Sequence, residues 1–169
     1  GGEISIDGID TYKHPCQALG RVGIVFQQSA LDLDLTLEQN MIYGAALRGW
    51  WGKDARQKIT QVLELMNIAE QRRAKVRELN GGHRRRLEIA RALVHQPAVL
   101  ILDEPTVGLD IQTRNELVAH VHQLTTSENI TVLWASHLVD EIHESDDLVI
   151  LHKGRVRSAG PVTQLLQQH

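Results

Sequence analysis

The chain has 169 residues, of which 42% are hydrophobic and 23% charged, with a formal net charge of -3. A globular chain of about this size buries roughly two thirds of the surface its unfolded form exposes, enough for a real core, while the small negative charge gives no global attraction to nucleic acid or anionic lipid. The single cysteine, Cys16, excludes an internal disulfide framework and fits a reducing cytosol, and no apolar run approaches the roughly 20 residues that cross a bilayer.

The first predicted elements are short strands: Ile4 and Ile6 alternate with Ser5 and Asp7 ahead of Gly8, and Val22 to Phe26 is a β-rich run after Gly20. Thr36-Leu37-Glu38-Gln39 has the capping-box pattern, which starts a helix running to about Arg48. A second helix, Lys53 to Met66, places Ile59, Val62, Leu63 and Met66 on one apolar face. Gly81-Gly82 opens a third, with Leu87, Ala90 and Val94 on one side, which stops before Pro97.

Ala98 to Leu102 is apolar at every position, the pattern of a strand covered on both faces, and Asp103-Glu104-Pro105 ends it abruptly. Alternation then predicts a helix from Asp110 to Leu124, a strand from Ile130 to Ala135, a helix from about Leu138 to Glu144 and a strand from Leu148 to Leu151. Lys153-Gly154 reads as a turn into a strand from Arg155 to Ser158, and Pro161 opens a closing helix.

In a parallel α/β sheet, ligands sit beyond the carboxyl ends of the strands. Gln27, the pair Asp103 and Glu104, and Ser136 with His137 all fall at such ends. Singly, each has a plain alternative: a solvated glutamine, a helix-capping acid pair, a histidine bonded to backbone. Arg84, Arg85 and Arg86 stand in the first turn of a helix, where the macrodipole disfavours cations by about 0.3 to 1 kcal/mol each, so a bound anion would resolve the conflict. The alternative is an Arg84 to Glu88 pair with the other two arginines solvated.

Taken in order, these segments resemble the nucleotide-binding domain of the ABC transporter family over nearly the whole chain. Ile24-Val25-Phe26-Gln27 looks like the Q-loop, Leu79-Asn80-Gly81-Gly82-His83 the signature motif, and Val99 to Glu104 the Walker B strand. Val107-Gly108-Leu109-Asp110 resembles the D-loop, and Trp134-Ala135-Ser136-His137 ends in what looks like the switch histidine.

The resemblance implies a P-loop NTPase-type parallel sheet core, residues 1–28 and 96–169, with an α-helical and signature subdomain inserted at 29–95. It implies ATP and Mg²⁺ as ligands. Asp103 and Gln27 would serve the metal, Glu104 the attacking water, and His137 the γ-phosphate. Asn80, Gly81, Gly82, His83 and Asp110 would serve a nucleotide shared with a second nucleotide-binding domain in a head-to-tail dimer. A transmembrane permease subunit would be the other partner, with the chain held at the cytoplasmic face; no nucleic acid is expected. The family usually has serine at Asn80 and glutamine at His83, so His83 adds a titratable group beside the shared site.

Nothing in the chain matches G-x-x-x-x-G-K-[ST], the loop whose amides and lysine cradle phosphates. The chain opens on Gly1-Gly2-Glu3, resembling the family's segment just past that loop and its helix. The expectation is therefore a chain that starts too late to grip ATP and, alone, is inactive, with an unpaired sheet edge prone to aggregation.

Leu79 stands 52 positions after Gln27 (79 minus 27), room for a compact helical insert but not a long coiled coil. A ribosome-associated translation factor remains the alternative to a transporter. Ser29 to Asn40, with its alternating leucines, resembles the equivalent segment of exporters, and Tyr43, Leu47, Trp50 and Trp51 are candidate contacts for a membrane subunit. The nine histidines suggest no metal centre: His120 and His122 point apart on one helix, and His137 with Glu141 lacks a third ligand.

Overall fold

The computed structural model describes residues 2–167, and the chain divides into two compact units between Ala135 and Ser136. The first opens with β1 (Ser5–Ile6) and β2 (Ile9–Asp10), paired antiparallel across Asp7 and Gly8, both at positive φ. A short helix not foreseen in the sequence follows, α1 (Pro15–Gly20), its proline in the first turn where the missing N–H costs nothing.

The sheet of this unit is three parallel strands in the order β3 (Val22–Val25), β4 (Val99–Asp103), β5 (Thr131–Ala135). Register aligns Gly23 with Leu100 and Val132, and Ile24 with Ile101 and Leu133. Four helices complete the unit: α2 (Leu37–Leu47), α3 (Gly52–Leu65), α4 (Gly81–Leu93) and α5 (Ile111–Ser127). The capping box of α2 is formed, with Thr36 Oγ1 accepting from Gln39 N and Gln39 Oε1 from Thr36 N.

The stripes read from spacing are core. Ile59, Val62, Leu63 and Met66 are buried, as are Leu87, Ala90 and Val94. They merge with Leu37, Met41, Leu100, Leu102, Leu117, Val121 and Leu124 into one cluster. The backbone of α4 lies so close to β3 that a Cβ on Gly23 would stand 2.5 Å from Ala92 O, which is why this strand position is glycine.

The expectation that β4 is covered on both faces needs correction. Leu100 and Leu102 are fully buried against the helices, but Val99 and Ile101 are half-buried and Leu133 beside them is 60% exposed. Within this unit the helices pack on one face of the sheet, so an unbroken apolar run here marks one covered face and one partly open one.

Residues 33–37 run beside 74–77 through Val76 N to Leu35 O, Leu37 N to Ala74 O and Arg77 N to Leu33 O. Buried Asn40 ties down this stretch, accepting from Asp32 N and donating to the carbonyls of Asp32 and Thr36.

The second unit is a hairpin of β6 (Asp147–His152) and β7 (Arg155–Pro161), turned at Lys153 and Gly154 with both at positive φ, followed by α6 (Val162–Leu166). The helix expected from Leu138 to Glu144 is absent; only a 3-10 turn, Val139–Glu141, forms. Asp146 Oδ2 accepts from His143 N, an amide that a helix would have paired with Val139 O, while Ser136 Oγ accepts from Leu138 N. Glu144 and Asp146 would also have placed negative charge at a helix C-terminus. Pro161 caps α6 as the last residue of β7 instead of lying inside the helix.

Two histidines of the first unit are held toward the neutral form. Burial lowers the pKa of His95, helped by Arg48, whose Nη1 lies 2.9 Å from His95 Nε2; burial and Arg86 lower that of His120. Below the ordinary value of 6.5 the unfolded chain takes up protons that the folded one still refuses, so stability is lost as pH falls through 6.5 toward the depressed values. Thermal unfolding measured from pH 7.5 to 5 is expected to show a falling midpoint, and the double substitution His95→Gln, His120→Gln a flatter profile.

Candidate functional site

Two strand ends and a helix meet at one side chain. Arg85, in the second turn of α4, is 7% exposed, and its guanidinium reaches the carboxyl ends of both β3 and β4. Nε donates to Pro105 O at 2.6 Å, Nη1 to Phe26 O at 2.8 Å and to Glu88 Oε2 at 2.6 Å, and Nη2 to Asp103 O at 3.2 Å and Glu104 O at 3.1 Å. Residues read from sequence as separate strand-end features are thus fastened to one planar group. Gln27, one residue beyond Phe26, and Asp103 are solvent-exposed, while Glu104 is half-buried.

Glu104 has a φ of 48°, the left-handed region that costs a residue with a Cβ about 1 to 2 kcal/mol. Its N–H donates to Ala135 O at 2.9 Å and its carbonyl accepts from Val107 N at 3.3 Å as well as from Arg85. The turn separates the adjacent acids: Asp103 continues the strand, paired with Ala135, and Glu104 leaves it at an angle.

The signature segment forms the start of α4. Asn80 is the N-cap, Oδ1 accepting from His83 N at 2.8 Å, so the amide Nδ2 is the donor this geometry leaves for a ligand. Asp110 plays the same part for α5, accepting from both Thr113 N and Thr113 Oγ1, and these bonds hold its pKa below the usual carboxylate value. The two caps are neighbours. A Cβ on Gly82 would lie 2.5 Å from Thr113 Cγ2, and one on Gly81 would lie 3.1 Å from Leu109 Cδ2. The glycine pair therefore admits Leu109 of the D-loop and Thr113 of α5, a packing reason that spacing alone does not disclose.

The three arginines do not require an anion. Arg84 donates to the carbonyls of Val76 and Arg77, and Arg86 to Met66 O, with His120 Nδ1 at 3.3 Å from Arg86 Nη1. The basic partner of Glu88 is Arg85, not Arg84. Helix-start cations are stabilised here by backbone oxygens from four other segments, and sequence reasoning missed the part Arg85 plays because most of its acceptors are main-chain atoms.

His137 belongs to the second unit and is exposed. Among the described residues, no group of three or more His, Cys, Asp or Glu gathers to hold a metal ion. Mg²⁺ commonly takes only one or two protein carboxylates together with phosphate oxygens and water, so Asp103 with Gln27 has the donor chemistry for a metal that arrives with a nucleotide.

The family model described as ABC transporter matches residues 1–107, more than half of the chain. The chain belongs to the ABC transporter family. It is 34% identical to the linearmycin resistance ATP-binding protein LnrL of Bacillus subtilis, over 97% of this chain and 53% of that protein. It is 32% identical to an energy-coupling factor transporter ATP-binding protein of Symbiobacterium thermophilum, over 99% of this chain and 59% of the relative. The chain thus spans about half the length of these relatives. Among solved structures it resembles cbiO1 of Clostridium perfringens, part of the ABC transporter complex cbiONQ, with a TM-score of 0.87 and 26% identity, covering 99% of this chain and 69% of that one. The three-stranded parallel sheet with its helices is thus the ABC ATPase form of the P-loop NTPase fold.

The contact between the signature and the D-loop gives a direct test. Gly82→Ala forces a methyl into Thr113 and is expected to destabilise the protein by about 1 to 3 kcal/mol. Adding Thr113→Ser, which removes Cγ2 but keeps the hydroxyl bonded to Asp110, is expected to restore most of the loss in chemical denaturation.

Proposed function

We propose that the whole protein is an ATP-hydrolysing subunit that powers transport through a membrane partner. The observation that carries this reading is the convergence of the main chain at Phe26, which precedes Gln27, and at Asp103 and Glu104 on one guanidinium, in a chain of this family. Glu104, set at an angle to the strand, orients or deprotonates the attacking water, and Gln27, which cannot change charge, positions the water and senses the neighbouring domain. Asp103, with Gln27, holds Mg²⁺, which when bound neutralises charge on the phosphates. His137 donates to the γ-phosphate. Asn80, Gly81, Gly82, His83 and Asp110 face a nucleotide on a second nucleotide-binding domain in a head-to-tail dimer.

The membrane partner is a permease subunit, received on the apolar side of the α2–α3 pair. Tyr43, Leu47 and Trp51 are 58%, 68% and 70% exposed, whereas Trp50 is partly buried against the core and also lines the hollow beside Trp51. Ile42, Ala46, Trp51 and Ile59 line an apolar hollow of about 130 Å³ there. No helix among the described residues is long and apolar enough to cross a membrane; in this reading the permease holds the protein at the cytoplasmic face. Export is the direction we favour, on the leucine-rich segment 31–37 and on resistance-linked relatives such as LnrL; importers are equally similar by identity.

In the full-length protein, Glu104→Gln is expected to lower kcat for phosphate release at least about a hundredfold with Mg-ATP binding retained; an unchanged rate overturns the assignment. These 169 residues contain no phosphate-cradling G-x-x-x-x-G-K-[ST]. The polypeptide by itself is therefore expected to bind ATP poorly and hydrolyse it negligibly, and stoichiometric binding in calorimetry contradicts this. If His83 acts at the shared site, His83→Gln in the full-length protein alters the pH profile of ATPase rate; coincident profiles remove that role.

A further inference from the structure

We propose that Arg85 is a positioning residue for hydrolysis: its guanidinium fastens the Gln27 loop and the Asp103–Glu104 turn into one body, so that the groups beyond β3 and β4 keep a fixed separation. This rests on the ATPase reading above.

The argument is geometric. Phe26 O belongs to the residue immediately before Gln27, and Asp103 O, Glu104 O and Pro105 O trace the turn that aims Glu104. All four are main-chain acceptors, so Arg85 sets backbone position without consuming any side chain that would meet a ligand. Glu104 sits in a left-handed conformation that relaxes unless its surroundings hold it, and Arg85 binds the carbonyls on both sides of that residue and its own.

Charge alone does not explain the arrangement. Glu88 takes one Nη1 contact, and its Oε1 is buried without a hydrogen-bond partner, while the remaining four contacts go to neutral carbonyls spread over two strand ends. A planar group with five N–H donors in fixed directions meets acceptors so distributed; an ammonium does not.

The test uses the full-length protein. Arg85→Lys keeps the charge opposite Glu88 and loses the fork. Arg85→Met with Glu88→Leu removes both charges and keeps apolar volume, so no buried carboxylate is stranded should Arg85→Met alone fail to fold. Glu88→Gln keeps the fork and loses the ion pair.

Two readouts are needed. Amide hydrogen exchange in peptides covering 24–30 and 101–109 is expected to accelerate at least tenfold in Arg85→Lys and in the double variant, with α2 and α3 unchanged. The kcat of ATP hydrolysis is expected to fall by about a hundredfold, the scale of a misplaced reacting group, with KM for ATP within about threefold. Glu88→Gln is expected to stay near wild type in both.

Unchanged exchange in the two peptides overturns the proposal, as does accelerated exchange with kcat within twofold of wild type, and so does full rescue by Arg85→Lys. Failure of the ATPase reading appears separately, as wild-type hydrolysis that does not depend on Glu104, before any Arg85 variant is made.

Discussion

A guanidinium taken out of water must find acceptors for its donors or cost several kcal/mol, and the fold around Arg85 is arranged to meet that demand. Its partners come from the ends of β3 and β4, which parallel pairing already places side by side. The result is a polar knot between an apolar helix face and two strand ends.

That knot depends in turn on how closely α4 approaches the sheet. Gly23 lets the backbone of Ala92 come down onto β3, Leu100 and Leu102 bury themselves under the helix, and Arg85, two turns toward the N-terminus, is thereby carried to the strand ends. The same helix begins at Asn80 and packs its two glycines against Leu109 and Thr113. One helix therefore touches the signature, the strand-end turn and the residues that open α5.

Parts of this architecture follow from local chemistry and were readable residue by residue. The Thr36 and Gln39 capping box, the buried stripe from Ile59 to Met66, the glycine-opened α4 and the Lys153-Gly154 turn each rest on interactions between residues close in sequence. Other parts were misread where the deciding partner was distant or absent from the pattern. The segment from Leu138 to Glu144 has helical spacing of apolar residues, yet Asp146 takes the amide of His143 into a local bond. Ala98 to Leu102 looked doubly covered because apolar character does not report how many faces a neighbour occupies.

The sequence by itself determined the order of the motifs and hence the family, because residue type and spacing carry that information without reference to space. It also determined most helices and strands, whose periodicity is intrinsic to the backbone. Only the tertiary structure decided that the arginines at the start of α4 meet main-chain carbonyls, with Glu88 as a further partner of Arg85, that Gly81 and Gly82 make room for Leu109 and Thr113, and that Glu104 turns through a left-handed conformation. Those outcomes depend on main-chain atoms brought together from up to 59 positions apart, and every residue has the same carbonyl, so nothing in the letters marks which ones will be met.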